Sequence, residues 1–396
     1  MSYFEKDAII SGLGISRIGR KTGIPGAELT LEAARAAIED AGLTADDIDG
    51  ISSFGDTPFD EVTDALGLQA TDVTVGFDTG GVLIPVMSAF RAVSERRARH
   101  VLVYRTVAML GGSMNQSASP MLTPLASPPV EPRMPGTRRK LKPFEDIDEL
   151  VAAHAYSAAN WLAMHCRRHM DLYGTTKEQL GWLAINSRRN AGLNPRAAFQ
   201  EPMTMDDYLG ARPVSTPFGL FDCDVPIDGS IALVVSHADY TTDCPNPAVK
   251  VEAIGGAYGS GGWFHRDDFP KMASVEAANE MWSRTDLTQA DVNVAEIYDG
   301  FTFLTFAWLE ALGFCADGEA GPFVDGATRI ALDGALPLNT YGGQLSAGRL
   351  HGYWLLHEAC LQLRGQAGDR QVARHPEVAV AAAGGGPIAG CMLLTC

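Results

Sequence analysis

Leu43-Thr44-Ala45-Asp46-Asp47-Ile48-Asp49 returns as Leu287-Thr288-Gln289-Ala290-Asp291-Val292-Asn293, 244 residues further along the chain. In each copy a threonine followed three residues later by an aspartate reads as a helix-capping turn, and a strand is expected after it. At the same offset Ala8-Ile9-Ile10-Ser11-Gly12 lies over Glu252-Ala253-Ile254-Gly255-Gly256, which sets Gly12 against Gly256. Each half therefore reads strand, glycine turn, loop, alanine-rich amphipathic helix, capping turn, strand. Further on, Asp78-Thr79-Gly80-Gly81 corresponds to Thr340-Tyr341-Gly342-Gly343. Each opens a helical segment, 82–98 and 350–363, and each helix leads into a buried strand, 101–104 and 378–383. Strand, helix, strand, twice over, predicts an α/β fold of parallel sheets covered by helices. The two halves divide into 1–245, with an inserted region at about 111–220, and 246–396.

The insertion has its own texture. Seven prolines (Pro120, Pro124, Pro128, Pro129, Pro132, Pro135 and Pro143) stand among methionines and serines. Its end carries Arg133, Arg138, Arg139, Lys140 and Lys142 without an acid, either a solvated loop or a contact for phosphate. Residues 148–174 and 176–190 then read as two helices. His165 and His169 have ligand spacing on the first, but with no third ligand and no H-E-x-x-H pattern no metal site is expected. Gly12-x-Gly14 after a strand begins a dinucleotide fingerprint that fails at its third glycine, where Arg17 stands.

Composition bounds the rest. With 396 residues, 46% hydrophobic and 20% charged, the chain can bury a large core, which excludes disorder. A net charge of −17 repels a phosphate backbone, so nucleic acid is not an expected partner. Seven cysteines without a C-x-x-C pair suit a reducing compartment, and the cytoplasm is expected. The start lacks the basic and apolar regions of a secretory signal. Residues 378–396 carry no charge, but Gly384-Gly385-Gly386-Pro387 and Gly390 cut them into two runs of strand length, so no membrane span is read there.

The duplicated halves, Asp228-Gly229-Ser230-Ile231-Ala232-Leu233-Val234-Val235, Glu296-Ile297-Tyr298-Asp299-Gly300-Phe301-Thr302 and Ala382-Ala383-Gly384-Gly385-Gly386 together resemble the thiolase superfamily over nearly the whole chain. Asn339-Thr340-Tyr341-Gly342-Gly343-Gln344-Leu345-Ser346-x-Gly348-Arg349-Leu350-His351-Gly352 is the most specific string. It resembles the thiolase-like lipid-transfer proteins related to sterol carrier protein X, and among them the steroid side-chain aldolases. The resemblance implies a thiolase fold, two duplicated βαβαβαββ-type halves in five layers, with a homodimer core formed through the first half. It also implies where the chain departs from a thiolase. The nucleophile turn aligns at about Thr79 or Gly80, the second cysteine falls on Ala382, and the histidine of G-H-P falls on Arg349. A covalent acyl-enzyme has no thiolate to form it there.

A retro-aldol cleavage of a β-hydroxyacyl-CoA needs no nucleophile, only a base for the hydroxyl, donors for the thioester oxyanion and an acid for the enolate. Tyr298 stands where thiolases place an asparagine and sterol-carrier thiolases a histidine, so it is the expected base. Tyr341, beside Asn339 of the oxyanion motif, could share a hydrogen bond with Tyr298 and make its phenoxide easier to form, or line the substrate channel. His351, two residues from the family's histidine position, could supply an imidazole base. Asp299 could orient Tyr298 or His351, or cap a helix beginning at Phe301. For substrate and CoA the resemblance points to Asn339, Gly80, Gly81, Gly342, Gly343, Gly385, Arg138, Arg139 and Ser260, the last in a Gly259–Trp263 loop that meets pantetheine in thiolases. The implied reaction splits a steroid side chain of the 17-hydroxy-20-carboxyl-CoA type into a ketosteroid and propionyl-CoA. It uses no cofactor, CoA being part of the substrate, and a small OB-fold and zinc-ribbon acyl-CoA-binding partner completes a heterotetramer. Two other readings stand beside it: a non-catalytic acyl-CoA or lipid-binding thiolase-like subunit, and an acyltransferase using a remote cysteine.

Overall fold

The computed structural model describes residues 3–54, 56–75, 82–108, 146–258 and 262–396. Gly80, Gly81, Arg138, Arg139 and Ser260, with the proline-rich stretch, lie outside the described residues. The strands are β1 (Ala8–Ile15), β2 (Gly50–Ser53), β3 (Asp72–Val75), β4 (His100–Ala108), β5 (Pro213–Ser215), β6 (Phe218–Gly219), β7 (Asp228–His237), β8 (Val249–Tyr258), β9 (Val294–Ile297), β10 (Val378–Gly385) and β11 (Ile388–Thr395). The helices are α1 (Gly26–Asp40), α2 (Phe59–Leu66), α3 (Ile84–Ser94), α4 (Ile147–Ala152), α5 (Ala158–Tyr173), α6 (Lys177–Ala191), α7 (Met205–Leu209), α8 (Ser274–Trp282), α9 (Thr302–Ala311), α10 (Ala320–Val324) and α11 (Tyr353–Leu363).

Among the described residues nine strands form one sheet in the order β3-β2-β4-β7-β1-β8-β11-β10-β9, mirrored about its centre. The halves meet where β1 pairs antiparallel with β8 through Ile9–Lys250 and Ile10–Val249. In each half the outer strands run parallel (β2 with β3 and β4, β9 with β10) and the inner ones antiparallel. Among the described residues the second half has no full counterpart of β3; a single parallel bridge from Ala295 to Leu338 takes its place. Helices α1 and α8 cover the outer faces, while α3 and α11 fill the space between the half-sheets, α11 packing on β9 and β10 on one side and on β7 and β1 on the other. This is the helix, sheet, helix, sheet, helix layering expected of the thiolase fold.

The repeated capping turn is seen at both sites. Thr44 and Asp47, and Thr288 and Asp291, form reciprocal capping boxes, and β2 and β9 follow each three residues later. The glycine correspondence shifts by one. A Cβ on Gly12 would overlap the Ala37 carbonyl of α1, and one on Gly255, not Gly256, would overlap the Ala277 carbonyl of α8. Asp40 then accepts the Leu13 N–H and Glu280 the Gly256 N–H, each 2.8–2.9 Å away. These glycines let a helix lie directly on a strand, and Gly14, overlapping Ala33 in the same way, has that packing role and no nucleotide role.

The single helix expected over 148–174 is broken into α4 and α5. Ser157 starts the second with a capping box to Asn160, a Ser-x-x-Asn signal overlooked in the alanine-rich pattern. Gly12→Ala and Gly255→Ala each force a helix off its strand and are expected to cost about 2–3 kcal/mol of stability in urea unfolding. Loss from one and not the other would show that the two interfaces are not equivalent.

Candidate active site

Strand β9 ends at Ile297, and the next residue, Tyr298, stands beyond the carboxyl end of a parallel strand, the place where α/β sheets hold ligands. Asn339 fixes that end. Its Oδ1 accepts the Ile297 N–H at 2.7 Å and its Nδ2 donates to the Ile297 carbonyl at 2.8 Å, so a side chain substitutes for a neighbouring strand. To reach this position Asn339 adopts φ of +50°, which asparagine tolerates better than most residues. Its amide thus serves the Ile297 backbone and the Asp299 carboxylate, at the position where the resemblance implies an oxyanion role.

The segment from Asn339 to Gly352 folds over the strand end. Gly342 and Gly343, at φ of +105° and +60°, turn the chain into a wide helical turn, Gly343–Ala347. A Cβ on Gly342 would press into Ala191, and one on Gly343 into the Asp299 carboxylate. Asp299 caps this turn: Oδ1 accepts the Gln344 N–H at 2.8 Å and Oδ2 the Leu345 N–H at 3.4 Å. It does not cap α9, whose N-cap Phe301 has no side-chain cap, and among the described residues its hydrogen bonds run to this turn and to Asn339, not to Tyr298 or His351. Burial pushes its carboxyl up to about 7, against the pull of the two backbone N–H groups and Asn339.

Helix α6 holds the same segment from the other side. Asn186 and Asn190 donate to the Leu338 carbonyl at 3.1 and 3.0 Å, Asn190 also to the Asn339 carbonyl at 3.1 Å, and Asn194, just past the helix, to the Tyr341 carbonyl at 2.8 Å. The spacing 186, 190 places two amides on one helix face and Asn194 follows past its end, a signal present in the sequence and not read from it. Below the loop, Thr340 Oγ1 lies 2.7 Å from Glu296 and 3.0 Å from Glu358, and Arg370 binds Glu358 with Nε and Nη2 at 2.9 and 3.0 Å. Burial, then the Glu358 charge, raises the Glu296 carboxyl well above its ordinary value.

Tyr298 and Tyr341 are both buried, yet they meet opposite surroundings. The Tyr298 phenol is raised well above its ordinary value, by burial first and then by Asp224, with Arg349, Arg105 and Gln344 pulling the other way. The Tyr341 phenol is raised by burial first and then by Asp299, Glu296, Glu358 and Tyr298, with no cation among its main neighbours. Its ring lies 5.0 Å from that of Trp354, and its hydroxyl has no hydrogen-bond partner among the described residues. The shared hydrogen bond between the tyrosines is therefore not formed. Arg349 pairs with Asp224, Nη1 lying 3.2 and 3.4 Å from the two carboxylate oxygens.

His351 accepts a hydrogen bond at Nδ1 from Nη2 of Arg105 at 2.6 Å. A guanidinium has only donors, so this ring is neutral and carries its proton on Nε2. Burial, Arg105 and Arg349 all lower its proton affinity. With one nitrogen occupied and the other protonated, the imidazole offers no lone pair as a base. Arg105 was absent from the residues expected from sequence, because it lies on β4 far from every motif. Asp224 and Gln344 were missed as well. Gly385, at the end of β10, is close-packed on Leu304.

The two histidines of α5 are spoken for. His165 Nδ1 meets the Pro270 carbonyl at 2.9 Å, and His169 bridges Thr175 at 2.8 Å and Glu310 at 3.0 Å. Among the described residues no cluster of three or more metal-ligating side chains is found. All seven cysteines are free, and burial is the first cause raising every thiol. Among the described residues no helix is long and apolar enough to cross a membrane.

The thiolase C-terminal domain-like family matches residues 255–394. A steroid side-chain-cleaving aldolase of Thermomonospora curvata is 32% identical over 418 residues, covering 99% of each chain. A 17-hydroxy-3-oxo-4-pregnene-20-carboxyl-CoA lyase of Mycobacterium tuberculosis is 31% identical, covering 98% of each. Among solved structures, the Ltp2-ChsH2(DUF35) aldolase superposes with a TM-score of 0.87 at 28% identity, covering 99% of this chain and 98% of that one. The chain belongs to the thiolase superfamily, and within it to the branch of the steroid side-chain-cleaving aldolases.

Asp299 gives this site a signature in stability. Its carboxyl titrates near 7 folded and near 3.8 as the free group, so between these values the folded state binds the extra proton and stability falls as pH rises. The stability of the wild type minus that of Asp299→Asn is expected to decline from about pH 4 to about pH 7 in urea unfolding. A difference independent of pH would show that Asp299 ionises as an ordinary carboxylate.

Proposed function

We propose that the chain is a carbon–carbon lyase that splits a β-hydroxyacyl-CoA by a retro-aldol reaction, with Tyr298 as base and Tyr341 as acid. The substrate is a steroid side-chain thioester of the 17-hydroxy-20-carboxyl-CoA type, and the products are a 17-ketosteroid and propionyl-CoA. The observation that carries this reading is the contrast between the tyrosines: Arg349 and Arg105 oppose the rise that burial and Asp224 cause in the Tyr298 phenol, whereas carboxyls and Tyr298 alone act on Tyr341. Environments that differ in this way assign the base and the acid. The two aldolases that the chain resembles along their full length supply the substrate class.

The step balances with the chain's own groups. Tyr298 as phenoxide takes the proton of the β-hydroxyl, the Cα–Cβ bond breaks, and the β-carbon becomes the ketone carbonyl. The electron pair passes into the thioester enolate, and the Tyr341 hydroxyl gives its proton to Cα, releasing the shorter acyl-CoA. Loss of the proton from Tyr298 and uptake of one by Tyr341, both exchanged with water, restore the site. No redox change occurs and no cofactor is required. The acyltransferase reading is disfavoured because every thiol is held protonated, and a thiolate is the nucleophile it needs.

The similar solved structure is an Ltp2-ChsH2(DUF35) aldolase, and on the support of its second component we assign this chain a small acyl-CoA-binding partner of OB-fold and zinc-ribbon type. A homodimer core formed through the first half and a cytoplasmic setting complete the reading, the latter supported by seven free thiols. Replacing Tyr298 by Phe keeps the ring and removes only the proton chemistry. The kcat is expected to fall by about 10²–10⁴ with KM within a few-fold. A Tyr298→Phe enzyme with wild-type kcat would remove Tyr298 from the reaction.

A further inference from the structure

Gln344 is 1% exposed, and neither Oε1 nor Nε2 of its amide has a hydrogen-bond partner among the described residues. Buried polar groups are rarely left open at both ends, and one that is asks for a use beyond packing. The backbone of the same residue is fully engaged. Asp299 accepts the Gln344 N–H at 2.8 Å, and the Gln344 carbonyl accepts the Val225 N–H at 2.9 Å. The Gly300 carbonyl accepts the Asp224 N–H at 3.1 Å, so the segment 224–225 bridges the residues after Tyr298 to the wide turn at Gly343–Ala347. Gln344 is therefore held rigidly one residue from the neighbours of Tyr298 and Asp224, and its side chain lies beside the Tyr298 phenol with its amide uncommitted.

Cleavage of the Cα–Cβ bond puts negative charge on the thioester oxygen, and a fixed donor aimed at that oxygen is what lowers the barrier. Most donors at this strand end are already spent. The Asn339 amide donates to the Ile297 carbonyl, and the N–H groups of Gln344 and Leu345 go to Asp299. Further along the turn, the N–H of Ala347 goes to the Gly342 carbonyl, that of Gly348 to Gly343, and that of Arg349 to Val225. The Tyr341 hydroxyl is open, but the reaction needs it as the acid at Cα. We propose that Gln344 is a catalytic residue of the lyase reaction, its side-chain Nε2–H donating to the thioester oxygen as the enolate forms. A neutral amide suits this place: it stabilises the charge without surrendering a proton, so the enolate is not quenched on oxygen and takes its proton at carbon.

The proposal rests on the lyase reading above, and its test is arranged so that the two fail separately. Gln344→Met keeps the length and volume of the side chain and removes both polar ends. Wild type and variant, each with the partner subunit, are compared in three ways. In cleavage of the β-hydroxyacyl-CoA, kcat is expected to fall by about 10²–10³, the loss typical of one oxyanion donor, with KM within about threefold. In difference infrared spectra of bound [1-¹³C]propionyl-CoA, the carbonyl band is expected at lower frequency on wild type than on Gln344→Met, because a hydrogen bond weakens the C=O bond. In urea unfolding without ligand, Gln344→Met should be at least as stable as wild type, since it relieves a buried amide that has no partner. A merely structural glutamine would give the opposite: lower stability in the variant. That result, an unchanged kcat in a wild type that turns over, or a carbonyl band at one frequency in both proteins would overturn the proposal. No ketone from wild type together with the band shift would instead overturn the lyase reading and leave Gln344 as the donor to the thioester. Failure of propionyl-CoA to bind would overturn both.

Discussion

The site depends on one amide. Asn339 grips the backbone of Ile297 with both ends of its side chain, and this joins the Asn339–Gly352 segment to the end of β9. Tyr298 follows Ile297 directly, so its direction is set by a pair of short buried hydrogen bonds and not by a mobile loop. Asp299 then returns the favour by capping the turn at Gly343–Ala347, and α6, with Asn194 past its end, fastens the far side through three asparagines. Few alternative geometries satisfy so many buried donors and acceptors at once, which is how polar networks specify a unique arrangement. Preorganisation of this kind is what a reaction without a covalent intermediate requires, since the substrate is held only by shape and charge.

Burial alone would leave two tyrosines equally reluctant to ionise. The molecule gives them different neighbours: Tyr298 has two guanidinium groups beside the Asp224 carboxylate, and Tyr341 has carboxyls without a cation among its main neighbours. In a thiolase the corresponding region serves a cysteine thiolate, and the same walls would need to stabilise sulfur. Here every thiol is buried or raised, while Arg349 stands at the family's histidine position and Arg105 reaches in from the other repeat. On the proposed reading, phenols beside guanidinium groups take the place of a thiolate and a histidine, and the chemistry changes without a change of scaffold.

Much of the fold was legible because duplication writes the same local chemistry twice. Capping boxes at Thr44 and Thr288 are short-range signals, and they located β2 and β9. The register error at Gly12 arose because two adjacent glycines, Gly255 and Gly256, compete for one place in the pattern, and only the packing of α8 selects between them. The break between α4 and α5 was hidden by alanine, which favours helix on either side of the Ser157 cap. Tyr298 and Tyr341 stood out through their motifs. Arg105, Asp56 and Asp224 did not, since a contact such as Arg105 to His351 links residues that only the fold brings together. His351 was visible as a residue, but its state depends on that arginine. Phe54, at the position of Tyr298 in the other repeat, supports Arg105 with its ring and shows how the duplicated strand end was put to a second use.

The central claim is that carbon–carbon cleavage proceeds through a thioester enolate protonated within the site. The direct measurement is turnover of a 17-hydroxy-20-carboxyl-CoA steroid in D₂O, with the chain and its partner, followed by mass analysis of products and protein. The account predicts ketone and propionyl-CoA in equal amounts, a single solvent deuteron on the α-carbon of the propionyl group, and protein of unchanged mass. An unaltered thioester, or an acyl group retained on the protein, would contradict it.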